Sequence, residues 1–162
     1  MANNHTAGAA ARTFAPSELC QRMLAKTSKG TCGPCILYLE DGTIFYGRAC
    51  GAEGTATGEV CFNTSLEGYF EVMTDPSYAG QIVTMTYPQI GNYGIDETDV
   101  QSAFPGDAVR PASAPAMRGM IVRDMCATPS NWRSAVSVPE YLRAHGIVAI
   151  EGVDTRAQIG RA

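Results

Sequence analysis

Apolar and polar residues alternate in short runs through the middle of the chain, a pattern typical of strands joined by tight turns. The strands predicted from these runs are 36–40, 43–49, 59–63 and 81–86. The first two flank Asp41-Gly42, a dipeptide that favours a hairpin turn because glycine readily adopts positive φ. We therefore expect a β-hairpin followed by two further strands.

The last third of the chain alternates strand and helix signals. Residues 118–125 and 147–150 are apolar runs typical of strands. Ser137 and Glu140 form a capping box with a proline at an early helical position, so a helix is predicted from there to residue 146. Asp154 is placed to cap a last helix. Strands and helices in this alternation indicate an α/β protein.

Three segments have weaker signals. Residues 64–73 predict a short helix that opens on Thr64 or Ser65. Residues 103–116 contain three prolines and no apolar period, which predicts a surface loop or a disordered insertion. Residues 1–34 are rich in Ala, Thr and Ser and indicate a flexible N-terminal extension, within which Ser17 could cap two helical turns. The rest, 35–162, is predicted to be one domain.

Composition narrows the classes of partner. The 162 residues are 45% apolar and 17% charged, without the ~20 consecutive apolar residues of a membrane span. A net charge of −4 with scattered basic residues argues against nucleic-acid binding. Six cysteines without a secretory signal are typical of reduced thiols, so we expect a cytoplasmic protein. An organellar protein is the alternative if residues 1–34 are a transit peptide.

Cys32 and Cys35 form a Cys-x-x-Cys pair in the stretch TCGPC. Such a pair is redox-active where its first sulfur lies at a helix N-terminus, which stabilises the thiolate. The residues that follow predict a strand instead, so two ordinary thiols at a strand entrance are favoured over a thiol oxidoreductase. Zinc binding is also disfavoured, because the chain has only two histidines, His5 and His145, and no second close cysteine pair. No metal site is predicted.

The centre of the chain is more particular than a generic sheet requires. Its motifs are LEDG (39–42), GEVCFNTSLEGYFEVMTDPSYAGQ (58–81), TYPQIGNYG (86–94), SNWR (130–133) and VDTRA (153–157). In this order they closely resemble the N-terminal domain of the small, glutamine-hydrolysing subunit of carbamoyl phosphate synthetase, over roughly residues 36–157. Two departures are Gln101-Ser102, where the family usually has Glu-Ser, and a longer proline-rich loop.

The resemblance implies a three-layer β/β/α domain of the swivelling type. It implies a domain that docks the large synthetase subunit and helps to wall the glutamine site, for the synthesis of carbamoyl phosphate in the arginine and pyrimidine pathways. ATP and magnesium belong to the large subunit in this family, so no cofactor is expected here. A stand-alone protein-binding module is the alternative.

No catalytic residue is predicted. Class I amidotransferases use a cysteine in a Gly-x-Cys-x-Gly setting activated by a histidine, and neither Cys50 nor Cys126 has those glycines. The class I amidotransferase domain that follows in the family is absent from these 162 residues, so the chain is expected to be inactive alone.

Ser77 is the one predicted substrate contact. Asp75 and Pro76 favour a tight turn that displays the Ser77 hydroxyl, and turn formation alone would explain these residues. The resemblance implies more, because family members use this serine to contact glutamine held in the neighbouring domain. In TYPQIGNYG, the lysine of a phosphate loop is missing, so Gly91 and Gly94 are predicted to permit a chain reversal.

Overall fold

The computed structural model describes residues 33–95, 114–130 and 136–160. The strands are β1 (Pro34–Tyr38), β2 (Ile44–Ala49), β3 (Val60–Asn63), β4 (Ile82–Met85), β5 (Gln89–Ile90), β6 (Gly119–Ile121), β7 (Asp124–Met125) and β8 (Val148–Glu151). The helices are α1 (Tyr69–Thr74), α2 (Val138–Ala144) and α3 (Thr155–Ile159), and one 3-10 turn covers Pro76–Tyr78.

Six strands form one mixed sheet in the order β1-β2-β8-β6-β4-β3. The last four in this order are parallel, whereas β2 runs antiparallel to both β1 and β8. A second sheet is the parallel pair β5-β7. The buried Glu151 links the two sheets, because its carboxylate accepts hydrogen bonds from Arg48 Nε at 2.9 Å and from the Met125 N–H at 3.2 Å.

Successive strand residues point to opposite faces, so each face of the main sheet builds its own apolar cluster. Val83, Met85 and Met120 lie on the face that α1 and α2 cover, in the larger cluster. Ile121 and Ile150 lie on the other face, in a smaller cluster completed by Leu37 and Leu39 from the hairpin and by Val153. This mixed sheet with a few short helices confirms the predicted α/β class and is consistent with the implied domain.

Local signals placed several elements correctly. The β1-β2 hairpin is confirmed, with Gly42 at φ 88°. The capping box of α2 is confirmed: the Ser137 hydroxyl accepts from the Glu140 N–H, and the Glu140 carboxylate accepts from the Ser137 N–H. The carboxylate of Asp154 caps α3 by accepting two backbone N–H bonds, at 3.2 and 3.1 Å.

Three predictions are corrected by the structure. The predicted helix 64–73 begins only at Tyr69, because the Asn63 side chain accepts the Ser65 N–H at 2.8 Å and holds the preceding residues in a turn. The predicted strand 118–125 divides into β6 and β7, which belong to different sheets. Strand β1 covers Pro34–Tyr38 rather than 36–40.

Several predictions fall on residues outside the described ranges. They concern the helical turns after Ser17, the thiol of Cys32, and most of the extension 1–34 and of the loop 103–116. The end of that loop is described: Ala116 is buried, and its N–H donates to the Met73 carbonyl at 2.8 Å. This residue packs at the end of α1 rather than on the surface.

Candidate functional site

Ser77 lies in the 3-10 turn that directly follows α1. The Asp75 carboxylate accepts the Ser77 N–H at 2.8 Å, and the Asp75 carbonyl accepts the Tyr78 N–H at 3.1 Å. Pro76 occupies the first position of the turn, where its fixed φ suits the geometry. The Ser77 side chain is exposed, as the sequence predicted, so its hydroxyl can both donate to and accept from a ligand.

A second group of bonds ties this turn to the main sheet. The Asn63 side-chain amide, at the end of β3, donates from Nδ2 to the Tyr78 hydroxyl at 3.0 Å. The Tyr78 carbonyl accepts the Gln81 N–H at 3.0 Å, just before β4 begins. The Tyr78 ring is partly buried against the larger apolar cluster. The turn that carries Ser77 is therefore anchored at its C-terminal end to both β3 and β4.

The start of α1 is held by a residue that the sequence reasoning did not single out. Gly68 has a φ of 76° and supplies no capping side chain. The Tyr93 hydroxyl takes that role, since it accepts the Gly68 N–H at 2.8 Å and the Tyr69 N–H at 3.2 Å. The rings of Tyr69 and Tyr93 stack with centroids 4.1 Å apart, and the Tyr69 hydroxyl donates to the Gly94 carbonyl at 2.6 Å.

These contacts bring two of the quoted motifs together in space. Residues 58–81 contain α1 and the Ser77 turn, and residues 86–94 supply Tyr93 and Gly94. The predicted chain reversal is confirmed there, because Gly91 and Gly94 have φ of 94° and 71° and the Gly94 N–H donates to the Gly91 carbonyl. The signal that could have identified Tyr93 was its position between these glycines.

The two tyrosines are not acid-base groups at neutral pH. Burial is the largest cause that raises the pKa of Tyr93, and Glu71 and Glu67 raise it further against the opposing effect of its hydrogen bonds. Burial also raises the pKa of Tyr69. Both phenols therefore stay neutral and act as hydrogen-bonding groups.

An open cavity of about 800 Å³ lies beside the start of α1. Glu67 and Glu71 line it together with Tyr87 and Tyr93. Ser77 does not line this cavity, so the predicted glutamine contact and the carboxylates of Glu67 and Glu71 do not share one site in the structure.

The cysteine chemistry of a dithiol enzyme is not favoured by the described residues. Cys35 lies in β1 rather than at a helix N-terminus, and burial raises the pKa of its thiol, the opposite of the shift that activates a thiolate. Cys126 donates to the Thr128 carbonyl at 3.2 Å.

His145 ends α2, where its ring lies 4.4 Å from the ring of Tyr141.

Among residues 33–95, 114–130 and 136–160, no helix has the length and apolar character needed to cross a membrane. Within the same ranges, no three His, Cys, Asp or Glu side chains are grouped so that they could hold a metal ion.

Comparison with known proteins gives consistent matches. Residues 37–161 match the family model described as carbamoyl-phosphate synthase small chain, CPSase domain. The carbamoyl phosphate synthase small chain of Solidesulfovibrio magneticus is 55% identical over 122 residues, which are 75% of this chain and 30% of that protein. The small chain of Thermotoga maritima is 53% identical over 122 residues, 75% of this chain and 29% of that protein. The chain thus spans under a third of the length of these relatives.

Proposed function

This chain belongs to the family of carbamoyl-phosphate synthase small chains, and we propose that its domain docks the large subunit and helps to wall the glutamine site. The observation that carries the proposal is the exposed Ser77, held on a turn that Asp75 shapes and that the Asn63-Tyr78 bond ties to β3. An exposed hydroxyl on a well-held backbone loses little freedom when it binds a ligand, which favours a contact role.

In this proposal the domain supplies binding and no catalytic group. The Ser77 hydroxyl would hydrogen-bond glutamine held in an amidotransferase domain, whose own cysteine would attack the side-chain amide. ATP and magnesium would act at the large subunit, where bicarbonate and the released ammonia are used. The product would be carbamoyl phosphate for arginine or pyrimidine synthesis, made in the cytoplasm, or in an organelle if residues 1–34 direct it there.

The test reconstitutes glutamine-dependent synthesis with the full chain, an amidotransferase domain of a relative and a large subunit. Loss of one substrate hydrogen bond costs ~1–2 kcal/mol, so Ser77→Ala should lower kcat/KM for glutamine by roughly 5–30-fold. Synthesis from added ammonia should be unchanged, because ammonia bypasses the glutamine site. Ser65→Ala is the matched control, since Ser65 is also exposed and keeps its backbone bond to Asn63.

Either of two results would reject the glutamine contact. If Ser77→Ala lowers the glutamine and ammonia activities equally, the residue supports only the fold or the assembly. If it matches Ser65→Ala in both, its hydroxyl faces solvent in the assembled enzyme.

Docking is tested separately by titration of the chain with the large subunit. We expect binding at or below tens of micromolar, a range that still includes weak interfaces. A folded chain without measurable affinity would instead support the stand-alone binding module. Reduction of insulin that Cys32→Ser abolishes would support the thiol oxidoreductase.

A further inference from the structure

We propose that Tyr78 is a positioning residue for Ser77, acting through its hydrogen bond with Asn63. This inference rests on the proposed function, in which Ser77 contacts glutamine. It concerns a different property of the site, namely what sets the place of the Ser77 hydroxyl relative to the main sheet.

Asn63 is a firm anchor because three of its polar groups are engaged at the end of β3. Its carbonyl accepts the Thr86 N–H at 3.1 Å, and it pairs with Met85 in the parallel β3-β4 register. Its side-chain Oδ1 accepts the Ser65 N–H at 2.8 Å. With Oδ1 engaged, the amide plane is oriented and Nδ2 points to the Tyr78 hydroxyl, 3.0 Å away.

The hydrogen bonds inside the turn do not attach it to the main sheet. The Asp75 carboxylate and carbonyl shape the backbone around Ser77, but both bonds lie within residues 75–78 and fix the shape of the turn rather than its place against the sheet. Gly80, at φ 83°, lies in the reversal that leads into β4, and the bond across it, from the Gln81 N–H to the Tyr78 carbonyl, joins near neighbours in sequence. The Asn63-Tyr78 bond ties the turn to a strand instead. A misplacement near 1 Å at a binding group is enough to weaken a substrate contact strongly.

Tyr78→Phe isolates this bond, since the variant keeps the ring that packs against the apolar cluster. In the reconstituted enzyme we expect KM for glutamine to rise roughly 3–10-fold, with kcat within about twofold of wild type, because a binding contact is weakened. Synthesis from ammonia should be unchanged. Tyr38→Phe is the matched control: Tyr38 is 60% exposed on the edge strand β1.

Conservative rescue distinguishes positioning from support of the fold. The Tyr78 phenol can donate as well as accept, so Asn63→Asp preserves a partner for it and keeps the acceptor for the Ser65 N–H. We expect Asn63→Asp to keep a KM within about twofold of wild type, whereas Asn63→Ala should raise KM at least as much as Tyr78→Phe.

A double-mutant cycle decides the inference. If Tyr78 acts by placing Ser77, Tyr78→Phe should change KM by less than about twofold in a Ser77→Ala background. Two outcomes would overturn the positioning role alone, provided that Ser77→Ala lowers kcat/KM for glutamine as expected. One is that the effects of Ser77→Ala and Tyr78→Phe add in the double variant. The other is that Tyr78→Phe has the same KM as Tyr38→Phe. A silent Ser77→Ala would overturn both the proposed glutamine contact and the positioning role that depends on it.

Discussion

Removing the hydroxyl of Tyr93 should destabilise the start of α1. The first N–H groups of a helix have no partner within the helix, and α1 is only six residues long. Gly68 offers no side-chain cap, and the Tyr93 oxygen accepts the N–H groups of both Gly68 and Tyr69. Tyr93→Phe deletes this acceptor and retains the ring that stacks on Tyr69.

The magnitude follows from what the two N–H groups lose. A buried donor without a partner costs ~1–3 kcal/mol, and loss of a helix N-cap costs ~0.5–2 kcal/mol. Tyr93 is only partly buried, so water can replace some of the lost bonding. We therefore expect the free energy of unfolding to fall by ~1–2 kcal/mol, which lowers Tm by about 2–8 °C for a chain of this size.

The assay is urea denaturation of the full chain at pH 7, with the unfolding midpoint and the slope fitted separately. The midpoint should fall while the slope stays constant. Tyr38→Phe is the control, because its hydroxyl lies on an exposed side chain of an edge strand. A Tyr93→Phe variant within ~0.5 kcal/mol of that control would refute the capping role.

The same residue predicts a loss of stability at high pH. The pKa of Tyr93 is raised in the folded chain, chiefly by burial, above its unfolded value near 10. Its contribution is then fully present below about pH 10 and is lost as the pH rises through the folded value. Tyr69, whose pKa is also raised, adds to the effect. In Tyr93→Phe the free energy of unfolding should still fall at alkaline pH, but less steeply with pH than in wild type.

Three further results are expected. Gly47→Ala should lower the free energy of unfolding by ~1–3 kcal/mol, because an added Cβ would overlap a backbone carbonyl of β8. Gly33→Ala is the control, because a Cβ there meets open space. Equal stability of the two variants would contradict this packing. Ser137→Ala should cost ~1 kcal/mol at pH 7. Hydrogen bonds from Ser137 lower the pKa of Glu140, so its contribution is present above about pH 4.3 and is lost as the pH falls through the folded value. In urea unfolding curves, the stability difference between wild type and Ser137→Ala should become smaller at low pH. A difference that does not change with pH would show that the Glu140 carboxylate does not contribute to the cap. Alkylation of Cys35 by iodoacetamide at pH 7 should be slower in the folded chain than in urea, because burial raises the pKa of its thiol. Equal rates measured by mass spectrometry would contradict this.

The sequence by itself determined the elements whose signals are local. Asp41-Gly42 predicted the first hairpin, and the capping box at Ser137 predicted the start of α2. Asp75 and Pro76 predicted the turn that exposes Ser77. Each of these elements is specified by side chains within a few residues of the backbone groups they bond, so their energetics are largely independent of the rest of the fold.

The tertiary structure decided the features that depend on distant partners. Thr64 and Ser65 look like helix caps in sequence, yet Asn63 takes the Ser65 N–H and α1 begins at Tyr69. Its start depends on the Tyr93 hydroxyl, 24 residues farther along the chain. Residues 118–125 form one apolar run but divide between two sheets, since strand pairing is set by neighbours far apart in sequence.

The anchor of the proposed site has the same origin. Asn63 and Tyr78 are 15 residues apart and belong to a strand end and a turn, with no local signal that joins them. Their hydrogen bond joins the end of β3 to the turn between α1 and β4, and the strand register alone does not place them together, because it pairs Asn63 with Met85 at the end of β4. The exposure of Ser77 was therefore readable from the turn residues, whereas its attachment to the sheet required the long-range packing of the whole domain.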